Sequence, residues 1–304
     1  MRTSDFQSYR LVRVMETLND AAAARDDLDT GRQLALARGA LESIAEPQNA
    51  SFESVMVRGL ELAVDALCNQ GRAAEARRLA ESKVDMLYEV SSQGKRRLLV
   101  RSPQSLVMYR AQRVLAHAIE LAGDPDDAMH RSLGFEKRLS RSDWLEDAAD
   151  IPASMRRDPL KERILLLRTA LSSAKRSNSR VAFRFAEKSR EQGDALATAA
   201  ERIAPAEAAS YWHRAACLKR CGSDQTEDIA AAAAMFAHSL PLRPDTARDK
   251  LSRGMAEGEI LVLSGQRKAG ARLMSRTVES FRGVLPRHEA SAREQLQARG
   301  LLIA

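Results

Sequence analysis

Apolar residues return along this chain at intervals of three and four. After Ser51 a stripe includes Val55, Leu62 and Leu67; after Gly71 a second follows with Ala76, Leu79, Ala80, Val84 and Leu87. That spacing predicts amphipathic helices. Between the two stripes lies LCNQGRAAEARRLAES, residues 67–82, with a glycine set between two helical stretches. Glycine takes positive φ without strain, so Gly71 reads as the residue that ends the first helix. The turn is too short for anything but antiparallel neighbours, and the stretch predicts a helical hairpin.

The same grammar runs from end to end. Ser4 opens a helix to about Arg25, DDLDTG at 26–31 breaks it, and RQLALARGALESI carries the next. Ser102-Pro103 starts a helix whose apolar face is Val107, Ala111, Val114, Leu115, Ala118 and Ile119, closed by Gly123. Asp124-Pro125 then supplies a cap and a first-turn proline, and Asp158-Pro159 repeats that signature. Pro205 opens a helix closed by Gly222, Asp245 or Thr246 opens another that ends near Gly265, and one more runs from Gln266 to about Val284. A polar helix follows Pro286, for about thirteen helices in all. The sole strand candidate, VRSPQSLVM near residue 100, contains a proline that argues against it. The chain therefore reads as one extended helical domain over 1–304, with sub-blocks 1–150 and 151–304.

Composition agrees with this reading. Of 304 residues 44% are apolar, enough to fill a core, while only 4% are aromatic, which argues against a large sheet. Alanine, leucine, arginine and glutamate, all strong helix formers, dominate. The formal charge is +7, which permits an acidic or nucleic-acid partner without demanding one. Cys68, Cys217 and Cys221 form no framework spacing and point to a reducing compartment. The first residues carry no secretory pattern, and the longest near-apolar run, AAAAAMFA at 230–237, is too short for a bilayer. A cytoplasmic protein with no membrane segment is expected.

Three places bear on a family. Gly71-Arg72 is followed by Glu75-Ala76, Gly123 and Ala128 hold the same relative positions, and AMFAHSLPLRPD at 234–245 ends a helix on Pro244, with Phe236 and Ser239 facing the core. Together they resemble the tetratricopeptide repeat. The turn glycines Gly71, Gly123, Gly222 and Gly265 stand 52, 99 and 43 residues apart. The family's period is about 34. The resemblance therefore implies an all-α fold of antiparallel hairpins stacked as an irregular right-handed α-solenoid, with a concave groove for a partner.

Candidate chemistry changes this picture little. His213, Cys217 and Cys221 share one helix face, but the outer two lie about 12 Å apart along the axis, too far for one ion. Tyr211 and Trp212 are scarce aromatics that could anchor a ligand, although they also continue an apolar stripe. GKRRLLVR at 94–101 leads into Arg110, Arg113 and His117, which share a face; Arg180 and Arg184, then Lys268 and Arg272, belong to two further basic stretches. Such runs pair with phosphates or form solvated faces. Phosphate-loop, zinc-protease, nucleophile-elbow and dinucleotide motifs do not occur, so no enzyme, cofactor or metal is expected. The expected function is a non-enzymatic adaptor or regulator holding a protein or peptide in its groove, as a monomer or a homo-oligomer. The alternatives are a nucleic-acid-binding array that uses the basic runs and a peptide-sensing regulator.

Overall fold

The computed structural model describes residues 3–44, 50–90, 96–98, 106–140, 159–177, 180–202, 204–222, 226–243 and 245–282. Among them are twelve α-helices. The first half of the chain holds α1 (Thr3–Asp26), α2 (Thr30–Ser43), α3 (Ala50–Asn69), α4 (Ala73–Asp85), α5 (Leu106–Leu121) and α6 (Pro125–Leu139). The second holds α7 (Pro159–Ser177), α8 (Arg180–Ala200), α9 (Pro205–Gly222), α10 (Thr226–Ser239), α11 (Ala247–Leu263) and α12 (Arg267–Ser280). A short 3-10 turn, Leu240–Leu242, follows α10. The helical class expected from the periodicity is what the molecule has.

Three hairpin turns form where glycine predicts them. Gly71, Gly123 and Gly265 have φ of 76°, 104° and 90°. At the first, the Gly71 N–H donates to the Cys68 carbonyl (3.1 Å) and the Arg72 N–H to the Leu67 carbonyl (2.8 Å). Gly123 with Asp124, and Gly265 with Gln266, repeat the pattern. These paired bonds satisfy carbonyls left over at a helix end and reverse the chain. The next helices then start cleanly. Asp124 caps α6 through Asp127 N–H, with Pro125 in the first turn, and Thr246 caps α11 through Asp249 N–H.

Alanine makes the close packing of each hairpin. Ala76 in α4 and Ala128 in α6 are fully buried where paired helices meet. Ala76→Leu is expected to cost about 1–3 kcal/mol by overpacking. Thermal melting checks this, and an unchanged melting temperature would count against the hairpin contact.

Helices alternate between two layers. Each odd-numbered helix packs on the next odd one, α1 on α3, α3 on α5, and so on through α11, while the even helices pack between them on one side. The ends also meet, because α1 touches α11. Leu28, just past α1, packs on Leu251 beside Ala247 and Met255, and Arg248 donates to Asp65 Oδ1 at 2.6 Å. Leu28 holds φ of 65° while buried. A leucine there costs about 1–2 kcal/mol, so this burial holds the turn closed without a glycine.

Glycine has a second use at the C-terminal hairpin. Gly254 and Gly258 of α11 face Gly270, Met274 and Thr277 of α12. A Cβ on Gly270 would lie 2.8 Å from the Val262 backbone nitrogen, and one on Gly258 would lie 2.9 Å from the Gly270 carbonyl oxygen. The two backbones cross where only hydrogen fits between them.

The structure departs from the sequence reading in places. Tyr88–Val90 and Arg96–Leu98 pair as a two-stranded antiparallel ribbon, Tyr88 opposite Leu98, where no strand is predicted. Each strand is only three residues, too short to show alternation, and the second sits inside the basic run. Helix α12 ends at Ser280 rather than near Val284. The predicted start at Ser102-Pro103, the 150/151 sub-block boundary, Pro244 and the final polar helix lie outside the described residues.

Candidate functional site

Six odd-numbered helices turn polar faces toward one another, and between them lies a cavity of about 480 Å³. The sequence builds those faces by helical spacing. Glu61 and Asp65 stand four apart on α3; Arg110, Arg113 and His117 stand at i, i+3 and i+7 on α5; Arg168 and Ser172 stand four apart on α7. Ser210 and Arg214 do the same on α9, and Arg248, Asp249 and Ser252 share α11. The opposite faces are apolar and meet the even helices.

Most of these charges are paired across helices. Glu61 accepts from Arg110 Nε at 2.8 Å and from Arg113 Nη2 at 3.0 Å. Arg113 Nε also reaches Glu162 Oε2 at 3.3 Å, with both side chains almost wholly buried. Lys161 pairs with Glu207 and Arg243 with Asp249 (2.6 Å). Such pairs fix how helices register more than they stabilise, because desolvation offsets the attraction.

Titration follows from the same contacts. Burial alone would raise the pKa of Asp65, but the charge of Arg248 and the Gln33 hydrogen bond more than offset it and hold the carboxyl below its usual value. Burial opposes the charge on Arg113 too, yet Glu61 and Glu162 together raise it above the usual arginine range. Glu120 is buried; the His117 hydrogen bond and charge, then Arg176 and Arg214, overcome that burial and bring its pKa down to about 2. A carboxyl lowered by folding adds stability above its unfolded value of 4.5, lost as pH falls toward 2. Glu120→Gln is therefore expected to flatten the acid side of the stability profile between pH 4.5 and 2.5. The wild type loses on the order of 2–3 kcal/mol there. Melting temperatures across that range check it, and parallel curves would refute it.

Two cations lack this compensation. Eight arginine and lysine side chains line the cavity against six carboxylates. Among the described residues, Arg168 donates only to Ser210 Oγ, at 2.6 Å, and no carboxylate forms an ion pair with Arg168 or Arg214. Burial first, then the charges of Arg113, Arg214 and Arg248, push the pKa of Arg168 down to about 9, against the favourable charge of Glu61. It remains cationic at neutral pH.

The residues singled out from the sequence separate into groups. Arg110, Arg113 and His117 line the cavity, with Arg110 and Arg113 buried against glutamates rather than forming a solvated face. Arg184, Lys268 and Arg272 are exposed, on α8 and α12, which do not line the cavity. Arg180 opens α8. Tyr211 and Trp212 are buried; the Tyr211 hydroxyl donates to Asp194 Oδ1 at 2.8 Å and Trp212 Nε1 to Glu201 at 3.1 Å. His213 Nε2 lies 3.7 Å from Cys217 Sγ, and burial lowers the His213 pKa, with Arg214 and Arg243 adding to the effect and Cys217 opposing it. Among the described residues no three side chains could hold a metal ion. No described helix is long and apolar enough to cross a membrane.

No family model, curated protein or solved structure matches the chain. The residues that sequence reading passed over are Glu61, Asp65, Glu162, Arg168 and Arg214. Glu61 and Asp65 do leave a signal, two carboxylates at helical spacing inside the otherwise apolar run GLELAVDAL.

Proposed function

We propose that this protein is a non-enzymatic adaptor or regulator that takes a segment of a protein or peptide partner into the cavity between its odd-numbered helices. In this reading the hairpins stack as an irregular right-handed α-solenoid of the tetratricopeptide kind, working in the cytoplasm. The observation that carries it is the shared polar face: six successive inner helices each give charged or hydroxyl side chains to one open space. An extended segment offers backbone amides and side chains along its length, and a wall of fixed, paired charges can meet them at several points.

A photo-crosslinking residue at Ser252, which lines the cavity, and a second at exposed Lys268 test this in the full chain. Crosslinks to protein from Ser252 and not from Lys268, unaffected by nuclease, are expected. Nuclease-sensitive capture at Lys268 alone would instead favour nucleic-acid binding through the exposed basic residues of α12.

A further inference from the structure

Two guanidiniums face one cavity wall with no carboxylate, among the described residues, in ion-pair contact with either. Arg168 on α7 and Arg214 on α9 stand on helices that pack directly together, and the Ser210 hydroxyl on α9 accepts from Arg168. Every other arginine and lysine of the lining has a carboxylate: Arg25 with Asp26, Arg110 and Arg113 with Glu61, Lys161 with Glu207, Arg243 with Asp249, Arg248 with Asp65. Glu120 is paired elsewhere: its Oε1 takes Arg176 (2.8 Å) and the Ser172 hydroxyl (2.9 Å), its Oε2 lies 3.7 Å from His117 Nδ1, and its charge reaches Arg214 without an ion-pair contact. A part-buried cation without an ion pair is costly, and the lining keeps two of them side by side, eight cations against six carboxylates.

We infer that the wall around Arg168 and Arg214 is a binding site for a phosphoryl dianion. Two fixed charges match the two negative charges of a phosphomonoester, whereas a single carboxylate would leave one guanidinium unmatched. Guanidinium forks suit phosphate oxygens, and the Ser210 hydroxyl gives a further polar contact. This inference rests on the reading of the cavity as the binding surface, and it names the group that a ligand would bring there.

Titration calorimetry of the full chain with inorganic phosphate, with acetate at matched ionic strength as control, tests it, alongside thermal melting. Phosphate is expected to bind and raise the melting temperature; acetate is not. Arg168→Gln and Arg214→Gln should each weaken phosphate binding by about tenfold or more, and Arg168→Lys should restore part of it. Without phosphate, Arg168→Gln should melt at or above the wild-type temperature, because it removes an unpaired cation. Phosphate binding no tighter than acetate, or undiminished in both glutamine variants, would overturn the inference, as would a lower melting temperature for Arg168→Gln with unchanged phosphate affinity. A capped phosphoserine peptide and glycerol phosphate then separate the sources: preference for the peptide places the group on a partner's segment, and equal binding on a small ester, and either supports the site. Phosphate binding with no crosslinks at Ser252 would retain this site while discarding the segment-binding reading. Crosslinks without phosphate binding would do the reverse.

Discussion

Gly270→Val should destabilise the α11–α12 hairpin by about 3 kcal/mol, the upper end of overpacking costs. The new side chain would begin 2.8 Å from the Val262 backbone nitrogen and 2.7 Å from its Cγ2. Neither neighbour is the free end of a flexible side chain, so the helices themselves must part. Gly258 stands opposite and leaves no slack, since a Cβ there would meet the Gly270 carbonyl. Hydrogen exchange should show 247–280 losing protection first, and circular dichroism should show a lower melting temperature. A Gly270→Val chain that melts like the wild type would remove the backbone crossing from the account.

Glu61→Ala should cost about 3 kcal/mol by removing the carboxylate that two buried arginines share. The carboxylate accepts from both Arg110 and Arg113, whose side chains are 7% and 5% exposed. Glu162 would remain for Arg113, and Arg110 would lose the Glu61 charge with little water to replace it. Urea titration measures the loss. Removing the charges together, as Glu61→Leu with Arg110→Met, Arg113→Met and Glu162→Gln, should regain most of it, because the expense lies in isolating a buried charge and Glu162 also pairs with Arg113. Equal stability of Glu61→Ala and wild type would show that solvent reaches these arginines freely.

Local features of the fold were legible in the sequence, and distant ones were not. A helix end is decided within a few residues, so Gly71, Gly123 and Gly265 could be read as left-handed turns, Asp124 as a cap, and the start of α11 as Asp245 or Thr246, of which Thr246 is the cap. The Leu28 turn could not, because its conformation depends on Leu251, more than two hundred positions away. Gly258 and Gly270 read only as weak helix residues, since a backbone crossing shows its need for glycine in space alone. The same limit applies to the cavity. Arg110 and Arg113 look like a solvated basic face until Glu61 and Glu162 are brought beside them, and each of those partners lies about fifty residues away in the chain. Helical spacing assigned the side of the helix on which the arginines stand, but it could not say what stood opposite.

The contact between the two ends has a consequence for synthesis. Asp65 and Arg248 are 183 residues apart. At about 5–20 residues per second, the ribosome therefore makes the first roughly 9–37 s before the second. Through that interval the early helices can pair with their sequence neighbours, while Leu28 has no Leu251 to cover it and Asp65 has no guanidinium. The inner wall is completed last, when α11 arrives to shut the gap beside α1. A nascent chain thus displays its unfinished interior to chaperones for roughly 9–37 s, until α11 has been made.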